Sequence, residues 1–338
     1  MQIELKTTDI LLYRSKTWIG KAIRYLDKAE VSHAGLYVST DTVGEALMDG
    51  GLQRQTLTKS IADCEWVKCF RMKNLPVTMQ PVLHRANEYL GYGERYAYGQ
   101  ILLLAMVCST RKLDLSNPLL RQIVNSAINN AAAFVRRMQS NGKQPMICSE
   151  FVYRSYDEAI LPDKHDLYTI EIETPWATGA SPRLFGRLRH ENNGPAAANI
   201  HPESLLGKLQ AEPGGLHVAL APEKIRATTA PPEVSDLELD TLIETYLDEQ
   251  SGSPMKATAI RPTLPDVTMD DLRDSVARLA IILHETTAGG TKLGPGAFGK
   301  SLLRSTATPA ATMQEISADF VTPGDLYRSR SLKEIGLL

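Results

Sequence analysis

The sequence predicts an α+β protein in which a small antiparallel sheet packs against a cysteine-bearing helix, with further helices added. Three observations point there. Strand-type runs crowd residues 8–72, two of them arranged as a hairpin. An apolar-striped helix begins at Cys148 or Ser149. A long amphipathic helical pattern opens at Asn117-Pro118 and lies between those two features.

The elements follow in order. "TDILLYR" (Thr8 to Arg14) is a short apolar run of strand type, and "TWIGKAIRYLDK" sets Trp18, Ile19, Ala22, Ile23 and Leu26 at helical spacing. "HAGLYVS" then reads as a strand, "DT" (Asp41-Thr42) as a turn and "VGEALMDGG" as a returning strand. "EWVKCFRM" alternates, with Trp66, Lys68, Phe70 and Met72 on one side and Val67 and Cys69 on the other. After Pro81, "VLHRANEYLGYG" is a helix stopped by glycine. In "NPLLRQIVNSAINNAAAFVRRM", Asn117 can cap and Pro118 suits the first helical position, and "NGK" ends the pattern. The Cys148 helix runs to about Ala159, with Phe151, Val152, Tyr156 and Ala159 on its inner face.

From about Ser181 the character changes. "ENNGPAAANIHP", "EPGG" and "TTAPPEVSDLELD" are polar, Pro/Ala-rich or acidic and read as loops or linker, extending acidic to about Asp270. One amphipathic helix stands out at "TMDDLRDSVARLAIILHE", aligning Leu272, Val276, Leu279, Ala280 and Leu283. "AGGTKLGPGAFGK" is flexible by composition, whereas "DFVTPGDLYRSRSLKEIGLL" has an ordered pattern again.

Composition narrows the function classes. A net charge of -2 gives no electrostatic reason to expect nucleic acid as a partner. Glu4, Lys6 and Asp9 stand where a secretion signal needs an apolar core, so no signal peptide is expected. The run "ILLLAMVC" falls far below the roughly 18 apolar residues that span a bilayer. The expectation is a cytoplasmic protein without a transmembrane segment, its four cysteines (Cys64, Cys69, Cys108, Cys148) free thiols. No CxxC pair is present, and the histidines show no HxH or HExxH spacing, so no metal is expected.

Free thiols can be nucleophiles, and one is placed for it. At a helix N-terminus Cys148 meets backbone N–H groups and the positive end of the helix dipole, which favour a thiolate and can hold an oxyanion. The bland alternative is a small buried hydrophobe, as expected for Cys64, Cys69 and Cys108. His33, before a strand, is the residue type that serves as base for a cysteine, or else an ordinary hydrogen-bonded histidine. Glu45 lies twelve positions on, across the turn. If Val38 sits opposite Thr42, residues 33 and 45 share a face, and a one-residue slip separates them. On a shared face the carboxylate can fix the imidazole's orientation and tautomer; the alternative is a solvated glutamate.

In that order, "TDILLYR", "SHAGLYV", "GEAL..GG", "YAYG" and "ICSEFVYRSY" resemble the permuted NlpC-type papain-like cysteine hydrolases, the YiiX-like branch related to lecithin–retinol acyltransferase. In that branch the histidine hairpin precedes the cysteine helix, as here. The tail "VTPGDLYRSRSLKEIG" resembles the branch's "TP.DL..S..L" ending, and the resemblance covers about residues 5–178 and 318–336. It implies a permuted papain-like domain over residues 1–180, an insertion over 181–317 that is partly flexible with one amphipathic helix, and a segment 318–338 returning to the first domain. Position by position it makes Cys148 the nucleophile, His33 the base and Glu45 the residue orienting it. Tyr13, in the strand matching the family's "GDILL.", and Ser149 fall where substrate or oxyanion contacts are made. Thr8 departs from the pattern, which has glycine there, and the stretch between Tyr98 and Gln139 is enlarged.

The implied activity is hydrolysis or acyl transfer through an acyl-enzyme on an amide (peptide or cell-wall-like) or acyl-ester substrate, without a cofactor. The related chemistry makes a peptide or a lipid-acyl group the expected partner, and the insertion offers a surface for a partner protein. A phage-borne or otherwise delivered enzyme is consistent with a missing leader. The rival expectation is a catalytically idle papain-like module with a binding or structural role in a phage particle or larger assembly.

Overall fold

Six strands form one antiparallel sheet in the order β4-β3-β2-β1-β5-β8. The computed structural model describes residues 3–47, 51–76, 78–91, 96–97, 99–140, 144–159, 168–172, 200–211, 234–251, 266–288, 309, 313, 316 and 320–338. The chain divides into two compact units. The first comprises Met1–Gln100, Asn141–Asn199 and Asp319–Leu338, and the second Ile101–Ser140 and Ile200–Ala318.

Along the chain come β1 (Ile10–Ser15), α1 (Trp18–Leu26), β2 (His33–Ser39), β3 (Thr42–Leu47), β4 (Gly51–Thr56), α2 (Leu57–Ile61), β5 (Cys64–Met72), α3 (Gln80–Gly91) and β6 (Tyr96–Ala97). Then follow α4 (Gln100–Thr110), α5 (Pro118–Ser140), β7 (Gln144–Pro145), α6 (Cys148–Asp157), α7 (Leu205–Ala211), α8 (Asp236–Ser251), α9 (Met269–Ala288), α10 (Pro323–Arg328) and β8 (Leu332–Leu337). β6 and β7 form a separate short parallel pair.

In the first unit, strand alternation gives the sheet two different faces. Leu11, Tyr13, Tyr37, Val43, Val67 and Cys69 cluster on one, with Leu57 and Ile61 of α2 and Leu5 packed over them. The other receives α6 and α3: a Cβ added at Gly44 would come within 2.9 Å of Leu90 and 3.2 Å of Phe151. Glycine at that strand position therefore lets the helices approach closely.

The hairpin turn lies at Thr40-Asp41, one residue earlier than the Asp41-Thr42 expected, and Asp41 takes a left-handed φ of 56°. Gly35 pairs with Glu45, Leu36 with Gly44 and Tyr37 with Val43. An irregularity follows, and Ser39 rather than Val38 stands opposite Thr42. The expected register therefore holds in the body of the hairpin and breaks only beside the turn. β4 extends the sheet beyond the hairpin, a strand absent from the sequence expectation.

The segment 320–338 returns to this unit. β8 pairs with β5 at the sheet edge. Thr322 caps α10: its hydroxyl accepts from Asp325 N at 3.0 Å and its own N–H donates to the Asp325 carboxylate at 2.9 Å. The same hydroxyl donates to buried Asp27 at the end of α1, at 2.7 Å. Ser149, second residue of α6, donates to the Val321 carbonyl at 2.6 Å. Another tie runs from Tyr156 of α6, whose hydroxyl donates to the Thr8 carbonyl at 2.5 Å.

The second unit is helical among its described residues. α4 is the apolar run "ILLLAMVC", and Leu102 to Thr110 are all buried, which explains a hydrophobic sequence without a polar face. Asn117 caps α5 as expected, accepting from the N–H groups of Leu119 and Leu120 at 2.9 and 3.1 Å. α5 packs against α8 and α9. A polar row lies between α5 and α9: Ser275 donates to Asn125 at 2.6 Å, and Asn129 donates to Ser275 at 3.0 Å.

Two sequence expectations are corrected here. Residues 101–140, kept above within a domain of 1–180, pack in the second unit, because the α5 stripe is covered by α8 and α9. The insertion holds more than one helix: α7 folds between stretches read as linker, and α8 folds within one, burying Leu239, Leu242, Ile243 and Tyr246. The expectations for "NGK" at 141–143, for "EPGG" and for residues 289–300 lie outside the described residues. Among the described residues no helix is long and apolar enough to cross a membrane.

Candidate active site

His33 opens β2 and Cys148 opens α6, so both stand at element ends. Cys148 lies close enough to His33 to act on its ionisation. On the other side of the ring, His33 Nε2 lies 2.9 Å from Glu45 Oε2. An ionised carboxylate only accepts, so Nε2 carries the proton and Nδ1 is left for the thiol. The three residues expected as a triad are thus brought together.

The hairpin explains the His33–Glu45 geometry. Glu45 stands directly opposite Gly35, and residues two apart share a strand face, so Glu45 is the diagonal neighbour of His33. Both are buried, Glu45 at 1% exposure and His33 at 7%, while Cys148 is fully buried at 0%. Burial drives His33 toward its neutral form. The influence of Cys148, together with that of Glu45, outweighs this effect and raises the imidazole from 6.5 to about 10. The surroundings of His33 therefore favour its protonated form.

Among the described residues no histidine acts on the other thiols, and their surroundings raise them. Burial, reinforced by Glu45, pushes Cys64 up to about 11, and burial alone takes Cys108 to about 12. Burial and the neighbouring Asp9 raise Cys69 further.

α6 begins without a side-chain cap, since Ile147 offers no acceptor at the N-cap position. The first intrahelical acceptor is the Ile147 carbonyl, bonded by Phe151 N at 3.0 Å. The N–H groups of residues 148–150 precede that bond and have no acceptor within the helix. They make an electropositive end beside the Cys148 sulfur. Glu150 fixes this turn: one carboxylate oxygen reaches Ile147 N at 3.5 Å, and the other accepts from Arg154 at 3.2 Å.

The two expected substrate or oxyanion residues are placed as follows. The Ser149 side chain is engaged with Val321, so any oxyanion contact there falls to its backbone N–H. Tyr13 is fully buried and its hydroxyl lies 2.7 Å from Ser60 Oγ. Its ring packs on the His33 ring, with centroids 5.0 Å apart and planes tilted by 52°. Gly35 and Ser60 were missed by the sequence reading. A lone glycine two residues after His33, inside an otherwise apolar strand, was the available signal, because such a glycine marks a close approach.

Among the described residues no three His, Cys, Asp or Glu side chains gather as metal ligands. No family model, no curated protein and no solved structure matches the chain.

Proposed function

We propose that this chain is a cysteine-nucleophile hydrolase or acyltransferase of permuted papain-like type, acting on an amide or acyl-ester carbonyl. The observation that carries this reading is the His33 ring held between Cys148 and Glu45. Three residues from separate elements meet in the order that proton transfer requires, and among the described residues neither the Cys64 nor the Cys108 thiol has a comparable imidazole.

In the proposed cycle the Cys148 proton resides on His33, with Glu45 fixing the ring through Nε2. The thiolate attacks the carbonyl carbon, forming the C–S bond while the carbonyl electrons move onto oxygen. The N–H groups opening α6 receive that oxyanion. Collapse expels the amine or alcohol, which takes the proton from His33, and leaves a thioester on Cys148. Water or an acceptor hydroxyl or amine then gives its proton to His33 and attacks the thioester, releasing product and restoring the pair. Peptide and lipid-acyl groups both fit this chemistry, and the sequence resemblance to the permuted NlpC-type enzymes supports it.

One observation favours the second reading, an idle papain-like module: Cys148 is fully buried. Labelling separates the two. At neutral pH, iodoacetamide should modify Cys148 faster than a free cysteine in a peptide, and Cys148→Ala should abolish turnover in a screen of amide, peptide and acyl-lipid substrates. Labelling no faster than the peptide, with no activity lost in Cys148→Ala, sinks the enzyme reading.

A further inference from the structure

We propose that Tyr13 is a positioning residue for His33, its phenol seated in the space left by the missing side chain of Gly35 and its ring walling the imidazole against Glu45. The inference rests on the His33–Glu45 pairing within the proposed function, but addresses what holds that pair rather than what it does.

Register supplies the starting point. Tyr13 of β1 stands opposite His33 of β2, and Glu45 of β3 stands opposite Gly35. Tyr13, His33, Gly35 and Glu45 therefore project from one face of the sheet. A Cβ built on Gly35 would lie 2.9 Å from the Tyr13 hydroxyl oxygen. The phenol thus leaves its own position opposite His33 and crosses β2 to end over Gly35. In doing so its ring passes the imidazole, which accounts for the 5.0 Å centroid separation. Glu45 reaches toward His33 from the opposite side of Gly35, so Tyr13 and Glu45 converge on the same small space.

The tether at the far end is specific. Ser60 on α2 holds the phenol oxygen at 2.7 Å, which fixes the ring along its length. The phenol is kept neutral there: burial raises its ionisation well above 10, and the Glu45 charge raises it further. A neutral, immobile ring excludes water from the His33–Glu45 hydrogen bond without competing for either partner. Excluding water from a buried charged pair strengthens it and limits the imidazole to one orientation.

Gly35 is the second half of the device. Any side chain there meets the Tyr13 hydroxyl and the Val43 methyl, the latter at 3.0 Å. Alanine at 35 therefore displaces Tyr13 first, because the phenol oxygen is the nearest atom. Removing that oxygen should relieve part of the clash.

The readout is the His33 Nε2–H proton in NMR spectra of the full chain with labelled histidine, followed as its exchange rate with water. The wild type should show a downfield, slowly exchanging signal. Tyr13→Phe should keep it, since the ring remains, whereas Tyr13→Leu and Gly35→Ala should each accelerate exchange by about tenfold or more, as expected when local opening replaces a packed wall. Gly35→Ala combined with Tyr13→Phe should recover part of that loss. If Tyr13→Leu does not fold, the Gly35→Ala pair of variants carries the test alone. Exchange within about twofold of wild type in Tyr13→Leu and Gly35→Ala overturns the proposal, as does an equal loss in Gly35→Ala with or without Tyr13→Phe. Because the signal reports the His33–Glu45 bond directly, it remains readable even if Cys148 labelling shows the protein to be idle.

Discussion

His33 Nε2 and Glu45 Oε2 lie 2.9 Å apart across a hairpin whose register pairs Glu45 with Gly35, not with His33 itself. The contact is diagonal, so the carboxylate approaches the ring from beyond Gly35 and leaves the other ring nitrogen to the thiol. A buried carboxylate in this position raises the basicity of the imidazole and sets its tautomer.

Glu45→Gln tests the charge separately from the shape. The amide oxygen can still accept from Nε2, but a neutral acceptor is weaker than a carboxylate. Alkylation of Cys148 at neutral pH should slow by about tenfold, corresponding to about 1.4 kcal/mol. An unchanged rate would mean that the charge of Glu45 contributes nothing to the pair.

The His33 shift also makes a prediction about stability and pH. Its folded value, about 10, lies above the unfolded value of 6.5, so protonation favours the folded state. That stabilisation is complete below about pH 6.5 and is lost as pH rises through about 10. Cys148→Ala removes the largest raising influence, so the loss should move to lower pH. Urea midpoints measured between neutral pH and pH 10 would show the alkaline decline beginning earlier in the variant. Superimposable profiles would contradict the coupling.

Thr8 carries strain that a single substitution should release. It is a β-branched residue with φ of 73°, a left-handed conformation that costs such a side chain energy. Its backbone bonds, N–H to Tyr37 O at 2.7 Å and carbonyl from Tyr156, hold it there. Thr8→Gly keeps both bonds and should stabilise the fold by about 1 kcal/mol. A urea midpoint no higher than that of wild type would show the threonine is not strained.

The sequence was most legible where one local rule decided the outcome. Asn117-Pro118 opens α5 because a cap and a fixed φ act within three residues, and the alternation of "EWVKCFRM" puts Val67 and Cys69 on one face, where they cluster. The meeting of His33, Glu45 and Cys148 was legible only conditionally. It depended on a register that the hairpin's own residues constrain weakly near the turn, where the irregularity falls. α8 was hidden because acidic residues interleave its buried Leu239, Leu242, Ile243 and Tyr246, and only packing against α5 reveals their common face. The approach of Tyr13 to Gly35 was not legible, since it joins two strands, β1 and β2, and no single segment encodes it.

The ties between Ser149 and Val321 and between Asp27 and Thr322 have a consequence in time. They join residues separated by 172 and 295 positions, so α1 and α6 emerge during synthesis long before their partners exist. A growing chain that has passed Cys148 already carries the thiol, the imidazole and the carboxylate, yet α6 lacks the strap that seats it. Residues 200–318 must be made first. The packing around Cys148 is therefore completed late, and a chain halted before residue 320 is expected to hold α6 without its tie to Val321.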